Sequence, residues 1–134
     1  TDGHIDDTVR FVNHDTVITV IEKDKSDENY EILQHNLRQL KSMRLINGKQ
    51  LEIVELPMPP KLTYEDQRLP ASYANFLITN LSVIVPTFRS NTDDQALDII
   101  QSCFRDRRVV GIDSLDIIWG LGSFHCLSQQ EPLV

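Results

Sequence analysis

The side chains of this sequence that could do chemistry near neutral pH are its four histidines and two cysteines. Cys126 has the most suggestive surroundings, since Gly120 and Gly122 let the backbone approach another group closely. A thiolate attacks electron-poor carbon, and a nearby imidazolium lowers the thiol pKa enough to supply it. Two roles therefore stay open for Cys126 at this point: a nucleophile, or a buried thiol at the end of a strand. In an extended segment His125 points to the opposite side, so we expect it to pack on the reverse face.

A second candidate lies near the beginning of the chain, where the sequence reads Gly3-His4-Ile5-Asp6. Extended backbone would place His4 and Asp6 on one side and Ile5 on the other. A carboxylate beside an imidazole fixes its tautomer and raises its basicity, which suits proton transfer. Alternatively, the carboxylate holds a cation while the imidazole acts on it. His-x-Asp also occurs by chance, so spacing alone does not choose between these roles.

The other histidines and cysteine have simpler explanations. Cys103 falls at core spacing on a predicted helix, so we expect a small buried hydrophobe. His14 lies in a predicted hairpin turn, and His35 lies off the apolar stripe of a predicted helix. We expect both imidazoles to be exposed to solvent.

A metal site is the competing assignment for four of the candidates, because their side chains are of types that bind zinc: His4, Asp6, His125 and Cys126. However, adjacent residues cannot easily converge on one ion from extended backbone, and no second ligand pair has a suitable spacing. We therefore disfavour a metal at this site.

Composition excludes several classes of function. The 134 residues, 40% hydrophobic and 25% charged, are ordinary for one globular domain or part of one. Thirteen basic and 20 acidic side chains give a net charge of −7, which argues against nucleic-acid binding and is compatible with a cationic substrate. Two cysteines cannot form a disulfide framework, and no apolar run approaches the ~18 residues of a membrane span. We therefore predict a cytoplasmic protein without a membrane partner.

Hydrophobic periodicity predicts the elements of the first half of the chain. Two β-branched runs, 9–12 and 16–21, flank a turn and predict a hairpin. A helix capped by Ser26 or Asp27 is expected to begin near Glu28 and to bury one stripe of side chains, which comprises Tyr30, Ile32, Leu33, Leu37, Leu40 and Met43. A strand over 51–56 follows, and the polar stretch 61–71 is expected to be an exposed loop.

The same order returns in the second half. Strands are predicted over 73–79, 83–86 and 109–112, with a helix over 93–104 and a short turn or helix over 114–119. The order strand–strand–helix–strand thus occurs twice, with an offset of roughly 65 residues, and predicts a mixed α/β fold. Since neither unit covers all its strand edges, we expect neighbours on both sides, and further copies of the chain are one option.

Four segments that occur in order resemble the C-terminal part of agmatine deiminases and Porphyromonas-type peptidylarginine deiminases. These segments are 1–6 (TDGHID), 56–59 (LPMP), 72–77 (SYANFL) and 122–130 (GSFHCLSQQ). Each is unspecific by itself, but four in order, covering essentially the whole chain, form a strong signal.

The resemblance implies a five-bladed α/β propeller, or pentein, built from strand–strand–helix–strand modules around a central site. Residues 1–134 would then form the C-terminal part of a deiminase domain, with modules at approximately 1–60 and 72–134. A closed ring needs roughly 300 residues or more at this repeat length. The chain also begins at Thr1 without a methionine, so we expect the N-terminal modules to be absent.

The resemblance also implies roles for individual residues. Cys126 matches the nucleophile that attacks a guanidinium carbon, and His4 matches the general acid and base. Asp6 matches a carboxylate that binds guanidinium nitrogens through two-pronged hydrogen bonds. The implied reaction hydrolyses a guanidine to a urea and ammonia through a covalent thiouronium intermediate, without a metal or cofactor.

The sequence departs from the family pattern just before the cysteine. The family commonly has Gly-Gly-Gly-Asn there, whereas Leu121 and Ser123 interrupt the run in this chain. These positions border the implied pocket, so Gly122 and Ser123 are predicted to contact substrate, and the choice between agmatine and a peptidyl arginine stays open. A second guanidinium-binding carboxylate is expected from the N-terminal half.

Three hypotheses therefore stand. The first is a deiminase that converts agmatine to N-carbamoylputrescine, with peptidyl arginine as the alternative substrate. The second is a non-catalytic binding or structural piece in which Cys126 is incidental. A papain-like hydrolase is a remote third, because it would leave the carboxylates of a guanidine site unexplained.

Overall fold

A computed structural model describes residues 3–131 as a mixed α/β fold. Within these residues the strands are Val9–Phe11 (β1), Thr16–Ile21 (β2), Glu52–Pro57 (β3), Thr63–Tyr64 (β4), Gln67–Arg68 (β5), Leu77–Ile78 (β6), Ser82–Thr87 (β7) and Arg108–Asp113 (β8). The α-helices are Tyr30–Ser42 (α1) and Asp93–Cys103 (α2), and one-turn 3₁₀ helices cover Ile5–Asp7 and Ile118–Gly120.

The first half forms a three-stranded sheet in the order β1-β2-β3. β1 pairs with β2 antiparallel, with Phe11 opposite Val17, and β2 pairs with β3 parallel, with Val17 opposite Ile53. The hairpin turn forms because Asn13 Oδ1 accepts the backbone N–H groups of Asp15 and Thr16, both at 2.9 Å. A parallel pair needs a long crossover, and α1 supplies it.

The second half repeats this arrangement in the order β6-β7-β8. β6 pairs with β7 antiparallel, with Leu77 opposite Ile84, and β7 pairs with β8 parallel, with Val83 opposite Val109. The crossover is α2. The predicted order strand–strand–helix–strand is therefore present twice.

The two halves share one hydrophobic core. Its fully buried side chains come from both sheets and both helices, and include Ile18, Leu33, Leu56, Phe76, Val83 and Ile100. A smaller cluster of Val17, Leu40 and Leu51 lies under the first sheet. α2 packs against β8 of its own half and also against β3 of the first half, so the two units are not independent.

Several predicted elements differ from the structure. Residues 61–71 were expected to be an exposed loop, but they contain the β4–β5 hairpin, and Leu69 and Ala71 are buried. The predicted strand 73–79 is reduced to β6, because the preceding residues form a turn in which Asn75 N–H donates to Ser72 O. The first helix begins at Tyr30, two residues later than predicted.

The apolar stripe of α1 is narrower than predicted. Leu33, Leu37 and Leu40 are buried, whereas Ile32 is 63% exposed and Met43 is 50% exposed. These two residues widen the stripe on a helical wheel, but no described element covers that side of the helix. Between residues 3 and 131, none of the helices has the length and apolar character needed to cross a bilayer.

Candidate active site

Two segments from distant parts of the chain line one cavity of about 440 Å³. The first is the 3₁₀ turn before β1, and the second is the stretch 120–127 that contains Cys126. Polar groups of the lining come from His4, Asp6, His125 and Cys126, while Ile5, Leu121 and Leu127 contribute apolar surface. The three residues that the sequence predicted to be catalytic, His4, Asp6 and Cys126, therefore share one cavity.

The segment that carries His4 and Asp6 is a 3₁₀ turn and not the extended backbone predicted from the sequence. Asp7 N–H donates to His4 O at 3.2 Å, and Thr8 N–H donates to Ile5 O at 3.0 Å. The tight turn still brings His4 and Asp6 together. One ligand-type atom each of His4, Asp6 and Asp7 lies within 4.8 Å of the others.

Asp6 contacts the side chains of three other residues of the site. Its Oδ2 lies 2.7 Å from His125 Nδ1 and 3.2 Å from the Cys126 thiol, and accepts from Asn75 Nδ2 at 3.0 Å. Burial acts to raise the pKa of Asp6, but the hydrogen bonds of His125 and Cys126 outweigh it and hold this pKa below its usual value. The carboxyl is therefore ionised near neutral pH.

The segment that carries Cys126 is also a turn. Leu127 N–H donates to Ser123 O and Ser128 N–H donates to His125 O, both at 3.0 Å. Because the backbone curls, His125 and Cys126 both reach Asp6. The predicted placement of His125 on the reverse face is wrong, since that prediction assumed an extended strand.

Asn75 organises this turn, and the sequence analysis did not identify it as a site residue. It is 1% exposed, and its Oδ1 accepts the backbone N–H groups of Ser123 and His125 at 3.2 Å and of Cys126 at 3.3 Å. The signal was available: an amide among the apolar residues of a predicted strand needs partners for both of its ends when the strand is buried.

The other end of the same amide binds the reactive groups. Asn75 Nδ2 lies 3.0 Å from Asp6 Oδ2, 2.9 Å from Asp7 Oδ1 and 3.0 Å from Cys126 Sγ. Its two amide protons are thus shared among three acceptors. One side chain therefore sets the position of the thiol relative to both carboxyl groups.

Gly122 lines the cavity directly beneath the thiol. A β-carbon at this position would lie 2.6 Å from Cys126 Cβ and 3.0 Å from Cys126 Sγ, so any side chain would displace the cysteine. Ser123 lies behind the wall, 1% exposed, where its Oγ donates to Asn75 Oδ1 at 2.9 Å. A direct contact between substrate and either residue stays a prediction.

Electrostatics favour the protonated form of the Cys126 thiol. Burial raises the pKa of Cys126, and the charges of Asp6 and Asp7 raise it further, although the hydrogen bond from Asn75 opposes them. Asp7 is 2% exposed, and burial together with the neighbouring Asp6 raises its pKa to about 6. A cation placed against these carboxyl groups would reverse their effect on the thiol.

Arg10 ties the two halves together beside the site. Its Nη1 donates to Ala74 O at 3.2 Å and to Phe76 O at 2.8 Å. Its guanidinium carbon also lies 4.8 Å from the centre of the Phe76 ring. A side chain of β1 thus holds the backbone on both sides of Asn75.

Among residues 3–131, His4, Asp6 and Asp7 lie close enough together to hold a metal ion. Their donor set is nitrogen and oxygen, but Asp6 Oδ2 and Asp7 Oδ1 are already engaged by Asn75. This group differs from the four ligands that the sequence suggested, because Asp7 was not considered. A metal stays the less favoured alternative.

A larger cavity, about 680 Å³, lies at the end of α2 and is lined by Glu52, Cys103 and Arg107 among others. Burial raises the pKa of the Cys103 thiol in this cavity, and the thiol donates to Ile99 O at 3.5 Å. Cys103 is half-buried, broadly as predicted, and His14 and His35 are exposed.

The chain is similar to a set of known proteins over nearly its whole length. A family model described as Porphyromonas-type peptidyl-arginine deiminase matches residues 1–132. A protein of Marinomonas sp. (strain MWYL1), provisionally named an agmatine deiminase, is 36% identical over 98% of this chain. The chain spans 40% of the length of that relative.

Two solved structures have the same fold over 98% of this chain. One, from Porphyromonas gingivalis and provisionally named an arginine deiminase, has 45% identity and a TM-score of 0.95, with 39% of its own chain covered. The other, described as agmatine deiminase of Enterococcus faecalis catalyzing its reaction, has 32% identity and a TM-score of 0.93, with 41% covered.

Proposed function

Since the chain belongs to the Porphyromonas-type peptidyl-arginine deiminase family, we propose that it carries the nucleophile and the acid–base pair of an enzyme that hydrolyses guanidines. Agmatine is the proposed substrate, with N-carbamoylputrescine and ammonia as products. The single observation that carries this proposal is the approach of the Cys126 thiol to Asp6 Oδ2, at 3.2 Å, in a cavity that His4 also lines.

The first half of the proposed reaction uses the substrate's own charge. The guanidinium cation binds against Asp6 and offsets the carboxylates that raise the Cys126 pKa, so the thiol loses its proton to solvent while His4 is in its protonated form. The thiolate then attacks the guanidinium carbon. The carbon–nitrogen bond to one terminal nitrogen breaks as His4 protonates that nitrogen. Ammonia departs, and the group that remains bonded to Cys126 is a thiouronium.

The second half returns the enzyme to its starting state. His4, now neutral, takes a proton from water, and the oxygen adds to the thiouronium carbon. The carbon–sulfur bond breaks, the sulfur takes the proton of the added hydroxyl group, and the urea product leaves, so that Cys126 is again a thiol and His4 is again protonated. Over both halves one water is consumed and one ammonia and one proton are released, so no oxidant, metal or cofactor enters the balance.

Peptidyl arginine is the second candidate substrate, and one observation favours it. The family model that matches residues 1–132 is described as Porphyromonas-type peptidyl-arginine deiminase. Leu121 and Leu127 make one side of the cavity apolar, which suits the aliphatic part of either substrate. The identity of the substrate is therefore decided by assay.

We also propose that the two halves are neighbouring blades of a five-bladed propeller, with modules at about 1–60 and 72–134 and the remaining blades elsewhere in the same protein. The packing of α2 against β3 supports this, because it is a contact between consecutive units. By the same repeat, α1 would pack against the third strand of a preceding unit. Assembly into a homo-oligomer and a cytoplasmic location stay predictions from the sequence.

The test is an assay of the complete gene product for ureido product from agmatine, free arginine and an arginine-containing peptide. Cys126→Ser is expected to lower kcat by at least ~10⁴-fold, since it removes the covalent step. Cys103→Ser is the matched control and is expected to keep full activity. Turnover that survives in Cys126→Ser would support the non-catalytic hypothesis for this residue.

A further inference from the structure

We propose that His125 is a positioning residue, whose Nδ1–H holds one oxygen of Asp6 so that the other is presented to a cationic guanidine. This inference rests on the proposed function and deepens it. The shortest contact that Asp6 makes with another side chain is the 2.7 Å one to His125 Nδ1. Near neutral pH Asp6 is ionised and can only accept, so the proton of this hydrogen bond lies on Nδ1.

Three side-chain contacts of Asp6 involve the same one of its two carboxylate oxygens. The side-chain groups of His125, Asn75 and Cys126 all approach the same oxygen, Oδ2. Oδ1 is therefore the oxygen on which an incoming guanidinium N–H can act without displacing one of these donors. The resemblance predicted that Asp6 binds guanidinium through two-pronged hydrogen bonds. Here Oδ2 instead accepts from donors of the protein, and Oδ1 accepts from the ligand.

His125 is itself held on both sides of its backbone. Its N–H donates to Asn75 Oδ1 at 3.2 Å, and its carbonyl accepts from Ser128 Oγ at 2.9 Å. The imidazole is half-buried, with 28% of the side chain exposed, and Asp6 has 15% exposed. The ring is thus placed before ligand arrives, which is what a positioning role needs.

A structural role and a positioning role predict different chemistry at Cys126. Loss of the Nδ1–H frees the Asp6 carboxyl to rotate and weakens binding of a cation, but it leaves the thiol open to a neutral reagent. Chloroacetamidine is cationic and resembles a guanidine, whereas chloroacetamide has nearly the same shape and no charge. The ratio of their alkylation rates at Cys126 therefore measures how well Asp6 recognises a cation.

The test compares three substitutions at position 125 in the complete protein carrying Cys103→Ser. His125→Asn places an amide N–H where Nδ1–H was, His125→Gln places it where Nε2 was, and His125→Leu has none. We expect the rate ratio to stay within about threefold of the parent for Asn, and to fall at least tenfold for Gln and Leu. Agmatine turnover should show the same order, mainly through a higher KM.

The outcomes separate the two proposals. An unchanged ratio in both His125→Gln and His125→Leu would overturn the positioning role, as would an equal fall in His125→Asn. A parent protein that reacts equally with the two reagents would overturn the guanidine site itself, and with it this inference. Retained reaction with chloroacetamide and an unchanged unfolding temperature show that a variant is folded.

Discussion

The two halves of this chain have the same order of elements but differ in what their helices cover. α2 packs against β8 and β3, and its Ile100 is fully buried. α1 packs against β2, and its neighbouring side chains Ile32 and Met43 stay exposed. Equal secondary structure thus gives unequal burial, because within residues 3–131 the second helix contacts strands of both units and the first contacts strands of one.

The halves also differ in the residue type at one equivalent position, and the two residues at this position contact each other in the site. Asp7 lies two residues before β1, and Asn75 lies two residues before β6. Asn75 Nδ2 donates to Asp7 Oδ1 at 2.9 Å. Two carboxylates here would repel each other, whereas an amide and a carboxyl group bind. A repeated backbone position has therefore become a complementary pair.

The largest expected effect comes from making this pair alike. Asn75→Asp buries another charge and removes the amide donor to Asp6 and Cys126, so we expect the free energy of unfolding to fall by about 4–5 kcal/mol. Activity should fall at least ~1,000-fold, because the thiol loses the group that positions it. Denaturant titration and a turnover assay measure both.

Swapping the pair sharpens the test. In Asp7→Asn/Asn75→Asp the donor and the acceptor are exchanged. The free energy of unfolding of this double variant should therefore be about 1–2 kcal/mol higher than the sum of the two single changes predicts. Activity should stay low, since position 75 still lacks its amide. Strict additivity would mean that the two positions do not interact.

Core truncation tests the difference between the helices. Ile100→Ala empties a site in the shared core and is expected to cost about 4 kcal/mol, whereas Leu40→Ala, in the smaller cluster, should cost about 2 kcal/mol. Ile32→Ala, at an exposed position on α1, is the control and should change stability by less than about 0.5 kcal/mol. Equal losses for Ile100 and Leu40 would contradict the proposed asymmetry.

The charge of Asp7 should make stability depend on pH. Its pKa is raised from 3.8 to about 6 in the folded state, so between these values the unfolded chain loses a proton that the folded chain keeps. Stability therefore falls as pH rises from about 4 to 6, by about 3 kcal/mol in total. Asp7→Asn removes this loss while keeping an acceptor for Asn75.

The comparison of wild type and Asp7→Asn at pH 4 and pH 7 isolates this contribution, because the other carboxyl groups cancel. Between pH 4 and pH 7 the free energy of unfolding of Asp7→Asn should rise by about 2–2.5 kcal/mol relative to that of wild type. A constant difference between the two proteins across the range would show that Asp7 has an ordinary pKa.

The smallest effect is expected at Leu121, whose φ of +64° is the left-handed conformation that favours glycine. Leu121→Gly relieves this strain and should stabilise the fold by about 0.5–1 kcal/mol, after the larger chain entropy of glycine is subtracted. Leu127→Gly is the matched control, since Leu127 is also exposed but is not in this conformation, and it should destabilise. Thermal unfolding of both variants measures the difference.

Local patterns predicted most of the architecture, because the runs that form β2, β3, β7 and β8 are dense in β-branched residues and the buried stripe of α1 has helical spacing. They failed where the packing of distant segments decides. The turn at Asn75 and the burial of Leu69 depend on groups from other parts of the chain. The exposure of Ile32 depends on what covers α1, which periodicity does not contain.

The candidate site shows the same division. The chemistry of the side chains and the resemblance pointed to His4, Asp6 and Cys126, which the structure places in one cavity. Asn75 and His125 were missed because their importance follows from hydrogen bonds between the two halves. The prediction treated residues 122–126 as an extended strand and therefore placed His125 on the wrong side. In the structure these residues form a turn, which brings His125 to Asp6.

The dependence of the Cys126 turn on Asn75 has a consequence for the unfolded and newly synthesised chain. The three N–H groups that orient the thiol's loop end on one oxygen from a segment about fifty residues earlier. Selective reactivity toward cationic electrophiles therefore cannot arise before the two halves dock. The rate at which chloroacetamidine labels Cys126 thus reports whether the two halves have docked. In a chain still on the ribosome, Cys126 would react like a cysteine in an unfolded peptide.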